Sequence, residues 1–269
     1  VRRRFSGDGP LEKACRAAIL SPGKRFRPAL AMLVGRLFRV PPERTAGLGT
    51  VVELVHAASL VLDDLPCMDD AGLRRGLPTV HRRFGEATAI LAAFRLLSAA
   101  HALLPEALAR AGVPRPRRAG RQEELAAVVE RLCLGQRLDL DGAADTVEEL
   151  ERVHAAKTGA LFVLAARWGA LAGRPSAAEE EAVTDYARNL GLAFQVVDDL
   201  LDVTGDRERL GKPTGADRGR VTFVDLLGVE GSRRLAAELT DAAVAALAPF
   251  GDRGAPLAEL ARRALDRER

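Results

Sequence analysis

The stretch Ser59-Leu-Val-Leu-Asp63-Asp64-Leu-Pro-Cys-Met-Asp69-Asp70 decides how the chain is read, because it carries four carboxylates at the end of an apolar segment with helical spacing. Ionised carboxylates beside Leu60, Val61 and Leu62 are costly unless a cation compensates them. Pro66 stops a helix after Asp64, which lets the chain turn and bring Asp69 back toward Asp63. Oxygen-only ligands gathered in this way suit a hard divalent ion, magnesium above all, completed by water and phosphate oxygens. Taken alone, the motif also reads as a solvated helix end with acidic caps. A second stretch, Phe194-Gln195-Val-Val-Asp198-Asp199-Leu-Leu-Asp202, repeats the pattern. Asp198 and Asp202 share one helix face, where like charges four residues apart destabilise a bare helix. Two such motifs in one chain argue against coincidence.

Outward from these motifs, apolar residues recur at helical spacing through residues 28–38, 46–62, 87–104, 123–140, 150–171, 178–203 and 223–247, and no stretch alternates as a strand does. Breakers separate the segments at Pro41-Pro42, Leu65-Pro66, Gly76 to Pro78, Gly112 to Gly120, Gly173 to Pro175 and Gly205 to Gly219, and a short helix is expected near Ala255 to Arg267. With 48% hydrophobic but only 4% aromatic residues, the composition favours helix over strand. The expectation is an all-α bundle of long helices formed by one domain over residues 1–269.

Three widely spaced cysteines give neither a disulfide framework nor a metal knuckle and fit a reducing cytoplasm. The longest apolar runs, such as Leu161 to Ala166, fall short of the roughly 20 residues of a bilayer span. A net charge of +3, with signs alternating along the chain, points to small anions more than to nucleic acid. Four of the 40 basic residues are lysines, Lys13, Lys24, Lys157 and Lys212, so 36 are arginines, and a lysine that remains is a candidate for a specific task. Basic clusters surround the acidic motifs: Lys24-Arg25-Phe26-Arg27, Arg74-Arg75-Gly76, Lys157-Thr158-Gly159 and Gly211-Lys212-Pro213. Each reads singly as a solvated face; together with the acidic motifs they make a site for two diphosphates bridged by metal.

Glu53-Leu-Val-His56, the first aspartate motif, Leu73-Arg-Arg-Gly-Leu-Pro-Thr79 with His81, Phe84-Gly-Glu86, Gly135-Gln136-Arg-Leu-Asp139, Lys157-Thr-Gly-Ala-Leu161 and Phe194 to Asp202 resemble the trans-isoprenyl diphosphate synthases in order and spacing. The resemblance runs from about Gly23 to Gly231, and Asp63-Asp64-x4-Asp69 looks like the bacterial farnesyl and plant-type geranylgeranyl branch. It implies an isoprenoid-synthase-type helical bundle around a central cavity, acting in the cytoplasm as a homodimer. It also implies that Asp63, Asp64, Asp69, Asp139, Asp198 and Asp202 hold magnesium, in three ions with substrate bound, with manganese as a substitute. Arg74, Lys157 and Lys212 would grip an allylic diphosphate, and Lys24, Arg27, His56 and Arg75 isopentenyl diphosphate. The carbonyl and hydroxyl of Thr158 and the amide of Gln195 would face an allylic cation as dipoles. No protein base is expected, because the released diphosphate takes the proton.

Product length is read from the helix before the first motif, where Ala58 and Ser59 lie about one turn upstream of Asp63. Members that stop at fifteen carbons commonly carry an aromatic residue at the Ala58 position, so the resemblance implies geranylgeranyl diphosphate. Phe94 departs from the family's Ala-Gly-Asp pattern and is expected to pack in the core or narrow the product cavity. Leu62, Ala71, Leu77, Arg220 and Val224 are further departures. A farnesyl diphosphate synthase, a class I terpene cyclase and a noncatalytic partner subunit are the alternatives. Trp168 and Tyr186 read as packing residues, and His154 as capped or solvated.

Overall fold

The computed structural model describes residues 2–142, 144–204 and 220–265. Its elements are α1 (Pro10–Leu20), α2 (Phe26–Leu37), α3 (Pro42–Asp63), β1 (Leu73–Arg74), β2 (Leu77–Pro78), α4 (Val80–Phe84), α5 (Glu86–Ala111), α6 (Arg115–Arg118), α7 (Arg121–Asp141), α8 (Val147–His154), α9 (Ala160–Ala170), α10 (Ala177–Thr204), α11 (Phe223–Ala246) and α12 (Ala255–Leu265). The helical periods of the sequence thus became helices, and the fold is all-α. One miniature antiparallel hairpin, Leu73 opposite Pro78 and Arg74 opposite Leu77, escaped the sequence reading because two-residue strands leave no alternation to detect.

The centre of the bundle is α3, whose residues Leu48, Val51, Val52, Leu54, Val55 and Ala58 are almost fully buried. It packs most extensively on α5, and also on α2 and α9. Small residues set the spacing: a Cβ at Gly169 would stand 2.4 Å from the Ala31 carbonyl oxygen, so α2 and α9 touch backbone to backbone. Trp168 and Tyr186 are fully buried as expected, with the indole Nε1 donating to Glu124 Oε2 (2.9 Å) and the Tyr186 hydroxyl to the Leu257 carbonyl (2.7 Å). α3 and α5 are each long and apolar enough to cross a membrane, but both lie against the other helices of the bundle.

A second, smaller apolar cluster supports the second aspartate motif. It joins Leu150 of α8, Val196, Val197 and Leu200 of α10, and Phe223 and Ala236 of α11. The entrance to α11 is fixed by a reciprocal capping box between Thr222 and Asp225.

Between α8 and α9 the helix widens into a π-helical turn over Ala155–Gly159, a local irregularity that the unbroken apolar period of residues 150–171 concealed. Gly135 of α7 lets this turn approach: a Cβ there would stand 2.5 Å from the Lys157 backbone nitrogen and 2.9 Å from the Ala156 carbonyl carbon. Because those atoms are backbone, they have no rotamer by which to yield. Gly135→Ala is therefore expected to lower stability by roughly 2 kcal/mol through overpacking, measured by thermal unfolding; an unchanged melting temperature would contradict the close approach.

Candidate active site

The first acidic wall is built where α3 stops. Asp64 is its C-cap, and the chain folds back after Pro66 through three bonds: Asp69 N–H to the Asp63 carbonyl (2.9 Å), Asp70 N–H to the Leu65 carbonyl (3.0 Å) and Ala71 N–H to the Asp64 carbonyl (3.2 Å). Asp69 is thereby returned beside Asp63, as the sequence suggested. Burial raises the Asp63 carboxyl to about 6, with Lys157 and Arg74 opposing and Asp69 and Asp64 reinforcing. Asp64 is buried and is also pushed up by burial, against the pull of Arg74, whose Nε and Nη2 donate to Asp64 Oδ1 at 2.7 and 2.6 Å. The hairpin delivers that arginine. Its tip, Arg75-Gly76, has both residues at positive φ (56° and 76°), the geometry of a tight I′-type turn.

Asp139, near the end of α7, meets cations from two other elements. Lys157 Nζ of the π turn donates to Asp139 Oδ2 (2.6 Å), and Arg220 Nη1 lies 3.1 Å from the same oxygen. Arg220 Nη2 also donates to Asp69 Oδ1 (2.5 Å), so one guanidinium spans two carboxylates of the site. In the sequence Arg220 stands out only as a departure from the family pattern, because both of its partners lie far away along the chain.

The second motif, on α10, divides its labour. Asp198 and Asp202 are half-buried on α10, whereas Asp199 is turned into the protein, only 3% exposed. Asp199 Oδ1 accepts from Gln195 Nε2 (2.9 Å) and its Oδ2 accepts from the Phe223 backbone N–H (3.0 Å). Thr158 Oγ1 donates to Gln195 Oε1 (3.1 Å), so a continuous hydrogen-bonded row runs from the π turn through α10 to the first residue of α11. Thr158 and Gln195 are brought together as expected, with the hydroxyl proton directed at the amide rather than outward.

A cluster of basic side chains gathers around His56. Arg27 is buried, its Nη1 stands 3.1 Å from His56 Nε2, and its guanidinium lies 4.7 Å from the centre of the Phe162 ring. Burial lowers Arg27 to about 10, offset in part by Glu53 and Asp198. His56 is held well below its usual value by burial and by Arg27, Arg75, Arg74 and Arg25, so it is neutral at physiological pH. Arg75 Nη1 donates to the Pro22 carbonyl (2.7 Å) and packs where a side chain at Gly23 would otherwise sit. Lys24 is exposed beside them in the chain. The arrangement gathers several cations around one neutral histidine, a chemistry suited to an oxyanion.

The polyprenyl synthetase family model matches residues 9–243, which takes in both acidic motifs and the basic cluster. The chain belongs to the polyprenyl synthetase family. It is 44% identical to farnesyl diphosphate synthase of Escherichia coli over 239 residues, covering 86% of this chain and 80% of that one. It is 42% identical to geranylgeranyl pyrophosphate synthase 10, mitochondrial, of Arabidopsis thaliana over 260 residues, covering 93% and 75%. Among solved structures, the geranyltransferase of Helicobacter pylori, complexed with magnesium and isoprenyl diphosphate, superposes with a TM-score of 0.83 at 30% identity, covering 98% of this chain and 94% of that one.

For a polyprenyl synthetase, the donor set fits a hard cation: oxygen ligands only, on carboxylates whose ionised form burial disfavours. Among the described residues no three acidic, histidine or cysteine side chains converge closely enough to hold an ion by themselves. Arg74, Lys157 and Arg220 stand among the carboxylates, an arrangement that serves an ion taking several ligands from phosphate. Lys212 lies outside the described residues. Ala58 is fully buried and Ser59 half-buried, the latter donating to the His56 carbonyl (3.0 Å).

Two expectations are corrected. Phe94 does not pack in the core: it is 66% exposed, because the buried face of α5 is taken by Ala89, Ala92, Ala93 and Leu96, and Phe94 falls on the other side with Ile90 and Leu91. His154 is neither capped nor solvated: it is buried against Phe223 (ring centroids 5.5 Å apart), and burial lowers it to about 4.

The inward and outward aspartates of the second motif should separate in unfolding experiments. Asp199→Ala strips an acceptor from a buried N–H and from Gln195 and is expected to cost roughly 2–3 kcal/mol. Asp198→Ala is expected to stay within about 1 kcal/mol of the parent in urea denaturation. Equal losses would contradict the division.

Proposed function

We propose that this chain is a trans-prenyltransferase that condenses isopentenyl diphosphate with an allylic diphosphate, dimethylallyl, geranyl or farnesyl, to give geranylgeranyl diphosphate, and that it works as a homodimer. The observation that carries the reaction class is the pairing of two acidic motifs with a basic cluster around Arg27, His56 and Arg75. A site with the walls alone would serve one diphosphate; Arg27, His56 and Arg75 beside it accommodate a second. That second site distinguishes a joining enzyme from a cyclase.

Asp63, Asp64, Asp69 and Asp139 from one side and Asp198 and Asp202 from the other would hold divalent ions, magnesium by the chemistry of the donor set. Such ions, when bound, neutralise the charge that develops on a departing diphosphate. Arg74 and Lys157, with Lys212, add fixed positive charge around the same oxygens, which favours cleavage of the allylic carbon–oxygen bond. Lys24, Arg27, His56 and Arg75 hold isopentenyl diphosphate so that its double bond faces the allylic carbon, converting an encounter into a positioned attack. Thr158 and Gln195, locked together by their mutual bond, present fixed dipoles toward the positive charge. The proton lost in the last step passes to the released diphosphate.

Similar proteins include both farnesyl and geranylgeranyl synthases, so product length rests on local chemistry. The small side chain of Ala58, one turn below Asp63, supports the longer product by its contrast with the aromatic residue that the family resemblance associates with fifteen carbons. With magnesium, labelled isopentenyl diphosphate and each allylic primer in turn, the expected product is geranylgeranyl diphosphate; Ala58→Tyr is expected to shift it to farnesyl diphosphate. A twenty-carbon product from the variant would overturn the length assignment, and no incorporation from any primer would overturn the reaction.

The homodimer is supported by an apolar face left uncovered on α5 and α7, where Ile90, Leu91, Phe94, Leu134 and Leu138 are all exposed. A second copy presenting the same face would bury it symmetrically. In analytical ultracentrifugation the parent is expected to sediment as a dimer and Leu91→Arg/Phe94→Arg as a folded monomer; a monomeric parent would contradict the assignment.

A further inference from the structure

The geometry points to Arg220 as a positioning residue that clips the first acidic wall to α7, and that divalent cations must displace in order to reach Asp69 and Asp139. The inference rests on the reading that these two aspartates take part in cation binding. Three observations carry it. Arg220 is only 18% exposed at its side chain and reaches two carboxylates that lie 70 positions apart in the chain, Asp69 at 2.5 Å and Asp139 at 3.1 Å. Its own place is fixed by the entrance to α11, two and three residues on: the Thr222 capping box and the bond from the Phe223 N–H to Asp199. The same Asp139 oxygen receives Lys157 at 2.6 Å, so the carboxylate is already neutralised by two protein cations from different elements.

A planar guanidinium can donate to two separate oxygens through different nitrogens, which a lysine ammonium at this position does with much less geometric fixity. As a clip, Arg220 relieves the repulsion between Asp69 and Asp139 and keeps them preorganised at the mouth of the site. It also competes with any ion for the same oxygens. A diphosphate arriving with the ion changes that balance, because phosphate oxygens offer the guanidinium an alternative partner while the ion takes the carboxylates. Ion binding is thereby made conditional on diphosphate, a coupling between two ligands that runs through one side chain.

The test is a titration of purified protein with Mn2+, followed by electron paramagnetic resonance, with and without inorganic pyrophosphate. In the parent, pyrophosphate is expected to tighten Mn2+ binding strongly. In Arg220→Met, Mn2+ binding without pyrophosphate should tighten by about tenfold, and the gain on adding pyrophosphate should shrink by the same factor. Arg220→Lys keeps the charge without the fork and should fall between the two, which keeps the test available if the methionine variant folds poorly. A purely structural role would leave Mn2+ affinity unchanged or weaken it, and either result overturns the clip. Should the parent bind Mn2+ normally while Asp69→Asn and Asp139→Asn do so equally well, the cation reading of those aspartates fails as well; if these two variants lose Mn2+ but Arg220→Met matches the parent, only the clip fails.

Discussion

Carboxylates carried on the ends of apolar helices can be kept ionised only if positive charge stands against them, and the upper part of this bundle is arranged around that requirement. Asp64 is held by the fork of Arg74, Asp139 by Lys157 and Arg220, and Asp69 by Arg220. Each cation comes from a different element: the hairpin after α3, the π turn before α9 and the entrance to α11. The ion pairs therefore do more than neutralise charge. They tie together the hairpin, the π turn and the entrance to α11, and burial, which raises Asp63 to about 6, leaves its ionised form one that a further cation would favour.

The remaining architecture serves to bring these segments within reach. α3 runs through the centre so that its last turn emerges at the site, and the close approach of α7 to the π turn at Gly135 sets Asp139 opposite Lys157. The buried row Thr158–Gln195–Asp199–Phe223 joins the π turn to α10 and α11, so the second wall is registered against the first by hydrogen bonds, not by the helix ends alone. The second apolar cluster, which includes Phe223, Val196, Val197 and Leu200, holds these elements together.

Much of this was legible in the sequence, because it depends on periodicity and local stereochemistry. The helical segments follow from apolar spacing, the end of α3 from Pro66, and the return of Asp69 from the short loop that follows. Long-range facts were hidden. Nothing in the run from Leu150 to Leu171 marks a π turn, since a one-residue widening hardly disturbs a helical period. Nothing in Asp198-Asp199 says which aspartate turns inward; that is decided by a backbone N–H 24 residues later. The identity of Phe94 says nothing of its side of α5, which is fixed by Ala89, Ala92, Ala93 and Leu96 on the buried face. The bridge from Arg220 to Asp69 spans 151 positions and could be found only by folding the chain.

The most direct test of two opposed walls sharing metal-bound diphosphate is a crystal structure of the protein with Mn2+ and the thiolo analogue of an allylic diphosphate, with manganese located by anomalous scattering. Manganese is expected against Asp63 and Asp69 of the first motif and against Asp198 and Asp202 of the second, with the analogue's phosphates between them. Manganese confined to one motif, or phosphates bound without it, would contradict a diphosphate shared between the two.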